Sequence, residues 1–300
     1  MCNMALMCDS IGKIPDEGAK NDLRELSQSL CMPDRVWSSY INRIRNAPGS
    51  HDEATCVTRI LGVIYELSRI RYYQGAGAQL ENICFDIAPV TVSFTGYARG
   101  NLEQRTKKFS AKIDFDVPIV RVCSDGRQRP YAYEVKSYPR LPYGTSAAAR
   151  NQLLKYQAAI DEGLICGATL EIKGKIHPEF LEWMMKSGFV PDIEIIYCLE
   201  LPSGAEYRFV LKRSADDCSG LRFDNGEFDP GDMDIVEAIQ GAIGDGKIID
   251  ILTKSEINEF PPAPEMTGYV EKPESISSSE VLRKYECLWR SAIYKKLLMA

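Results

Sequence analysis

The strongest constraint on the fold is a change of hydrophobic period. From Glu53 to Tyr73 the apolar residues Val57, Ile60, Leu61, Ile64, Leu67 and Ile70 recur at helical spacing, which buries one stripe of a helix. Gly75 and Gly77 interrupt the pattern, and a second helix is expected from about Ala76 through Leu80, Ile83 and Cys84. Beyond residue 90 the period drops to two. Val90–Gly96 reads as a strand, Lys112–Val120 alternates charged and apolar positions, Ser124-Asp125-Gly126 is a turn signal, and Arg129–Lys136 is the next strand. Pro139–Thr145 reads as a loop. Helical spacing returns over Ala147–Gly163, with Leu153, Leu154, Ala158 and Ile160 apolar, and Leu170–Ile172 is a short strand. The order helix, strand, strand, strand, helix, strand predicts an α/β core, a central mixed sheet flanked by helices.

The flanks extend this core. Asn21–Leu30 and Pro33–Arg45 have helical spacing, and Asn46-Ala-Pro-Gly-Ser50 is a loop. A helix is expected over 176–187, and Asp192–Leu201 and Glu206–Leu211 read as paired strands around Pro202-Ser203-Gly204. The stretch 214–250 is acidic and Gly-rich, with a helix near 233–243. Residues 258–279 are rich in Pro, Glu and Ser, as in a linker. Ser279–Leu298 forms an amphipathic helix with Val281, Leu282, Tyr285, Leu288, Trp289, Ile293 and Leu297 on one side. That side either packs back on the core or serves a protein partner or a homo-oligomer. The expected organisation is a helical N-terminal extension over 1–50, a core over 51–213 and a mixed C-terminal extension over 214–300.

Ten cysteines are scattered singly from Cys2 to Cys287 with no CxxC pair. This argues against a zinc ribbon and suits reduced, buried thiols. No run is apolar enough to span a bilayer and no basic-then-apolar leader opens the chain, so a soluble, cytoplasmic protein with no membrane partner is expected. The net charge of −6 weighs against a broadly basic nucleic-acid binder. It does not exclude a local groove, because net charge is a sum and a binding groove is local. GxSxG, GxxxxGK[ST] and GxGxxG are absent, and two histidines, His51 and His177, leave little room for histidine-based catalysis.

The residues that carry chemistry lie on the strands. Glu134 and Lys136 are two apart, so they share one face of a strand whose other face presents Tyr133 and Val135 to the core. Asp114 and Asp116 bear the same relation on the preceding strand, with Ile113, Phe115 and Val117 on its other face. If the two strands pair through the Ser124-Asp125-Gly126 turn, their carboxylates face each other across roughly 5 Å. Two carboxylates about 4 Å apart repel by roughly 4 kcal/mol at an effective dielectric near 20. A divalent cation relieves that repulsion, and oxygen-rich sites suit Mg2+ or Mn2+. A salt-bridge ladder on a solvated sheet face would use the same residue types.

Asp114 followed by Glu134-Val135-Lys136 resembles the split D…(D/E)xK signature of the PD-(D/E)XK nuclease superfamily. Gly77-Ala-Gln-Leu-Glu81 resembles its GxxxE helix, and Gln152-Leu-Leu-Lys-Tyr156 resembles the QxxxY helix of RecB-type and lambda-exonuclease-like members. The resemblance spans about residues 60–175. It lacks the proline before the first aspartate and the histidine that RecB-type members place upstream. It implies a restriction-endonuclease-like core and a Mg2+- or Mn2+-dependent deoxyribonuclease. Asp114, Glu134 and the Val135 carbonyl are then the main metal ligands, with Glu81 at a second metal or a metal-bound water. Lys136 would orient or deprotonate the attacking water, and Gln152 and Tyr156 would support the site or touch the nucleic-acid backbone. Glu66, in Gly62-Val-Ile-Tyr-Glu66, competes with Glu81, and Asp116 competes with Asp114. Lys107, Lys108, Arg140, Arg150 and Lys155 are candidate phosphate contacts, and Tyr138 and Tyr143 candidate base-stacking groups. The resemblance leaves open exonuclease, sequence-specific restriction-type endonuclease, or a non-catalytic binding or assembly module that keeps the fold.

Overall fold

The structure is a computed structural model. It describes residues 11–14, 16–30, 32, 34–47, 53–75, 79–80, 84–86, 91–98, 101–108, 112–114, 117–143, 147–176, 181, 183–185, 190–214, 229–253 and 293–299. Helices α1 (Glu17–Ser29), α2 (Asp34–Asn46) and α3 (Glu53–Gly75) precede the strands. Asp16 starts α1 by accepting the Ala19 N–H on Oδ1 at 2.7 Å, which satisfies a donor the helix itself leaves open. The strands are β1 (Gln79–Leu80), β2 (Cys84–Asp86), β3 (Thr91–Ala98), β4 (Asn101–Lys108), β5 (Lys112–Asp114), β6 (Val117–Val122) and β7 (Gln128–Tyr143). Then come α4 (Ala147–Asp161), β8 (Ala168–Ile176), β9 (Ile193–Glu200) and β10 (Glu206–Lys212), followed by α5 (Met233–Gly244) and α6 (Ile248–Thr253).

The main sheet runs β1-β6-β7-β8-β9-β10. It is mixed: β6 pairs antiparallel with β7, β7 with β8 and β8 with β9 are parallel, and β9 and β10 are antiparallel. Helix α4 makes the crossover between parallel β7 and β8, as parallel neighbours require. The chain is therefore an α/β protein with a mixed sheet flanked by helices. The turn between β6 and β7 is the one expected at Ser124-Asp125-Gly126. Gly126 adopts φ +76°, and Asp125 Oδ1 accepts the Arg127 N–H at 3.0 Å.

Each sheet face carries its own core. On one face Tyr131, Tyr133 and Val135 pack with Ile60, Val63, Leu67, Ile70 and Tyr73 of α3, and α1 and α2 add Leu23, Leu26 and Ile44 to the same cluster. On the other, Ala132, Leu170 and Ile172 pack with Leu153, Leu154 and Tyr156 of α4, and with Ile235 and Ile239 of α5. Residues 293–299 are helical, and Ile293 and Leu297 are buried in this second cluster. That part of the C-terminal amphipathic face therefore packs back on the core. The rest of the expected helix and the 258–279 linker lie outside the described residues.

Four expectations are corrected. The helix expected from Ala76 is not formed: Gln79 and Leu80 extend along the sheet edge opposite Val120 and Ile119, and Cys84–Asp86 is again a strand. Pairing to an open edge outweighs the weak apolar spacing beyond Gly75. The strand expected over Lys112–Val120 is split. Lys112–Asp114 pairs with Cys84–Asp86 in a separate two-stranded sheet, and the β6 strand begins at Val117. The Pro139–Thr145 loop is largely strand, because β7 continues to Tyr143 along β8 with a bulge after Tyr138. The β6 ladder ends at Val117 opposite Tyr133, so Pro139 and Pro142 remove no β6 bond from β7. Finally, Cys123 and Cys166 are not reduced thiols but a disulfide, with Cα atoms 5.4 Å apart. The turn after β6 and the connection into β8 meet at one end of the sheet, where the Cys166 N–H bonds to the Pro130 carbonyl at 2.8 Å. Gly167 follows: a Cβ there would stand 2.8 Å from Tyr131 Cε2, closer than such atoms approach.

Candidate active site

Glu134 lies mid-strand on β7, on the face covered by α4, and is fully buried. A buried carboxylate is tolerated only when paired and hydrogen-bonded. Two side chains meet that need. Lys136, two residues on and on the same face, forms an ion pair with Glu134 Oε1. From α4, the Tyr156 hydroxyl donates to Glu134 Oε2 at 2.6 Å, and Gln152 Nε2 in turn donates to the Tyr156 oxygen at 3.1 Å. Gln152 and Tyr156 are four residues apart, so they stack one turn above the other on the helix. The result is a directional chain, Gln152 to Tyr156 to Glu134, that aims the carboxylate.

Lys136 Nζ also donates to the Val135 carbonyl at 3.3 Å. Two oxygens, Glu134 Oε1 and Val135 O, thus converge on one positive charge. That donor set has the chemistry of a hard-cation site, with carboxylate and backbone carbonyl oxygens. Lys136 retains 19% of its side-chain exposure against 1% for Glu134, so the pair sits where the sheet core opens toward solvent.

The structure therefore brings together Glu134, Val135, Lys136, Gln152 and Tyr156. The other expected members stand differently. The Asp114 backbone lies in β5 opposite Cys84, not on the strand beside Glu134, and its side chain is outside the described residues. Asp116 and Glu81 also lie outside them, and the helix expected to carry Glu81 is replaced by β1. Glu66 is not part of the site. It lies on α3, across the sheet from Glu134, and accepts from both terminal guanidinium nitrogens of Arg43, Nη2 at 2.7 Å. Among the candidate phosphate contacts, Lys155 is half-buried on α4 beside Tyr156.

A second polar cluster, which the sequence reading did not single out, lies on the opposite face. Glu171 of β8 is fully buried, opposite Val135 in the ladder. Tyr65 and Tyr73 of α3 each donate to it at 3.0 Å, Cys198 of β9 lies at 3.4 Å, and Arg69 and Arg208 stand 3.5 and 3.8 Å away. Glu206 joins through Arg69 at 2.6 Å, Arg208 at 3.0 Å and Lys173 at 3.4 Å. Ligand atoms of Glu171, Cys198 and Glu206 lie within 4.8 Å of one another, and this triad could hold a metal ion. With the side chains as placed, its carboxylates are met by arginine and lysine instead. Burial opposes ionisation of Glu206, but Arg69, Lys173 and Arg208 together hold its carboxyl below the usual range. Burial pushes the Tyr65 and Tyr73 phenols and the Cys198 thiol well up, and Glu171 adds to each shift. The signal in the sequence was the four-residue spacing of Tyr65, Arg69 and Tyr73, which puts them on one face of the helix.

No protein-family model, curated protein or solved structure matches this chain.

Proposed function

We propose that the chain is a metal-dependent deoxyribonuclease of the PD-(D/E)XK type, with a restriction-endonuclease-like core and its active site at Glu134-Val135-Lys136. The observation that carries this reading is the buried Glu134, paired with Lys136 on its own strand and aimed by a Gln152–Tyr156 relay from the crossover helix. A salt-bridge ladder on a solvated face does not need a buried carboxylate, nor a tyrosine held by a glutamine four residues before it.

In this reading Glu134 and the Val135 carbonyl are ligands for Mg2+ or Mn2+, with Asp114 and Glu81 as the remaining candidates. A bound divalent ion lowers the pKa of water and stabilises charge on phosphate oxygens. The chain's own residues do the rest. Tyr156 holds one Glu134 oxygen, which leaves the other to face Lys136. Lys136, an ammonium while it pairs with Glu134, would orient the attacking water; to act as its base it would first have to give its own proton to solvent. Gln152 donates to the Tyr156 oxygen, so the hydroxyl's own proton is directed onto Glu134.

Lys136→Ala is expected to abolish Mg2+- or Mn2+-dependent cleavage of duplex DNA while leaving the circular dichroism melt cooperative. Full activity in that variant would overturn the mechanism. Intact circular DNA separates the two modes of attack, since an exonuclease cannot begin on a closed circle.

A further inference from the structure

The β3–β4 hairpin stands apart from the main sheet as a two-stranded ribbon. Its eight register pairs run without interruption from Thr91 opposite Lys108 to Ala98 opposite Asn101. At about 3.4 Å per residue, such a ribbon is roughly 27 Å long. Its backbone approaches that of α4 within 8 Å through β3, and α4 is the helix that bears Gln152 and Tyr156. The fold thus sets a separate two-stranded ribbon beside the element that aims the candidate catalytic carboxylate.

The composition of the ribbon is unlike that of the chain. Strand β3, Thr91–Ala98, has no charged residue, and β4 carries Arg105, Lys107 and Lys108 against a single acid, Glu103. The ribbon is therefore net +2 in a chain that is net −6. The cations cluster at one end: Phe94 opposite Arg105, Val92 opposite Lys107, and Thr91 opposite Lys108. Ser93 opposite Thr106 and Thr95 opposite Gln104 are hydroxyl and amide pairs, the neutral groups that also serve phosphate oxygens. Arg105 and Lys107 fall on one face, about 7 Å apart, close to the axial rise of two phosphates along a strand. A two-stranded ribbon is also one of the two elements that the major groove of a duplex admits.

We propose that the β3–β4 hairpin is a duplex-DNA-binding ribbon, and that it holds the substrate's backbone alongside α4 and the Glu134–Lys136 site. The proposal rests on the nuclease reading for the identity of the substrate, and the test separates the two. Binding of a fluorescent 20-base-pair duplex is measured by anisotropy across a salt series, in the Lys136→Ala background so that nothing is cut. Replacing Arg105, Lys107 and Lys108 together with glutamine is expected to lower affinity at low salt about tenfold or more. It should also reduce the slope of log K against log salt by about 3, one per cation removed. The exchange Arg105→Lys, Lys107→Arg and Lys108→Arg should keep both, which guards against a hairpin that has merely failed to form. If the glutamine variant binds the duplex with unchanged affinity and slope, the ribbon proposal falls. So it does if only single-stranded DNA of the same sequence is affected. In either case cleavage lost with Lys136→Ala alone leaves the nuclease reading intact. If the unaltered chain neither binds nor cuts the duplex with Mg2+ or Mn2+, the nuclease reading fails and the ribbon proposal with it.

Discussion

At the scale of single residues, two glutamates among the described residues are fully buried, one strand apart and on opposite sheet faces. Glu134 is met by one lysine and one tyrosine, whereas Glu171 is met by two tyrosines, a thiol and two nearby arginines. The difference in supply is chemically telling. Glu171 is surrounded by groups that neutralise it permanently. Glu134 is paired with Lys136, whose side chain keeps 19% of its exposure. The relay onto Glu134 can be weighed by comparing two tyrosines. Tyr156→Phe removes a hydroxyl donated to a carboxylate, and Tyr197→Phe removes one donated at 2.6 Å to the neutral Gly174 carbonyl. Hydrogen bonds to charged groups contribute about 1.5–3 kcal/mol and neutral ones about 1 kcal/mol. Urea unfolding should therefore show the larger loss for Tyr156→Phe. Equal losses would overturn the reading of the Tyr156–Glu134 contact as a charge-assisted hydrogen bond.

At the scale of elements, β7 organises the site. It is antiparallel to β6 on one side and parallel to β8 on the other, and the crossover that parallel pairing demands is α4, which supplies Gln152 and Tyr156. The return of the chain into β8 is anchored by the Cys123–Cys166 disulfide and by Gly167, where the backbone passes the Tyr131 ring. The bridge joins cysteines 43 positions apart in sequence, and the loop it closes contains β7 and α4, so it confines both in the unfolded chain. Constraints of this length stabilise by about 2–4 kcal/mol. Cys123→Ser should lower the thermal midpoint of the oxidised protein and abolish its sensitivity to dithiothreitol. A wild-type melt that reductant leaves unmoved would show that the bridge contributes nothing. Among the described residues Cys198 is the free, buried thiol, and no described helix is long and apolar enough to cross a membrane.

At the scale of the whole molecule, the sheet separates two cores, and the Glu171 network ties α3 to β8, β9 and β10 through buried charge. This makes stability depend on pH in a definite direction. Glu206 titrates below its ordinary range in the folded chain because Arg69, Lys173 and Arg208 outweigh its burial. Its contribution is complete above the unfolded carboxylate value, about 4.3, and fades as the pH falls toward the folded one. On the alkaline side burial raises the Cys198 thiol and the Tyr65, Tyr73 and Tyr133 phenols. Folding keeps these groups neutral, so stability is full below about pH 8.5 for the thiol and about 10 for the phenols, and falls as pH rises further. Each group adds a slope of about 1.4 kcal/mol per pH unit once its unfolded form ionises. Urea midpoints should be level from about pH 5 to 8, drop below 4, and drop more steeply above 10. A midpoint that holds level to pH 11.5 would contradict the burial of the three phenols.

The local pattern of the sequence determined the α/β class, the β6–β7 turn, α4, β9, β10 and α5, because each is written in its own hydrophobic period and turn residues. It also determined the pairing of Glu134 with Lys136 and of Gln152 with Tyr156, because period two and period 3.6 oblige those residues to share a face. What lay between elements was decided only by tertiary contact. Gln79 and Leu80 became a sheet edge because β6 offered one, and β7 ran past Pro139 and Pro142 to Tyr143, which again pairs with β8 at Ile176. Asp114 was drawn to Cys84 in a second sheet, and Cys123 met Cys166 because two loops end at the same rim. The Glu171 network was hidden for the same reason: its members come from α3, β8, β9 and β10, and no single stretch of sequence places a buried carboxylate beside the tyrosines and arginines that make its burial tolerable. Glu134 and Lys136, two residues apart on one strand, were legible at once. What aims the glutamate came into view only when α4 crossed over the sheet.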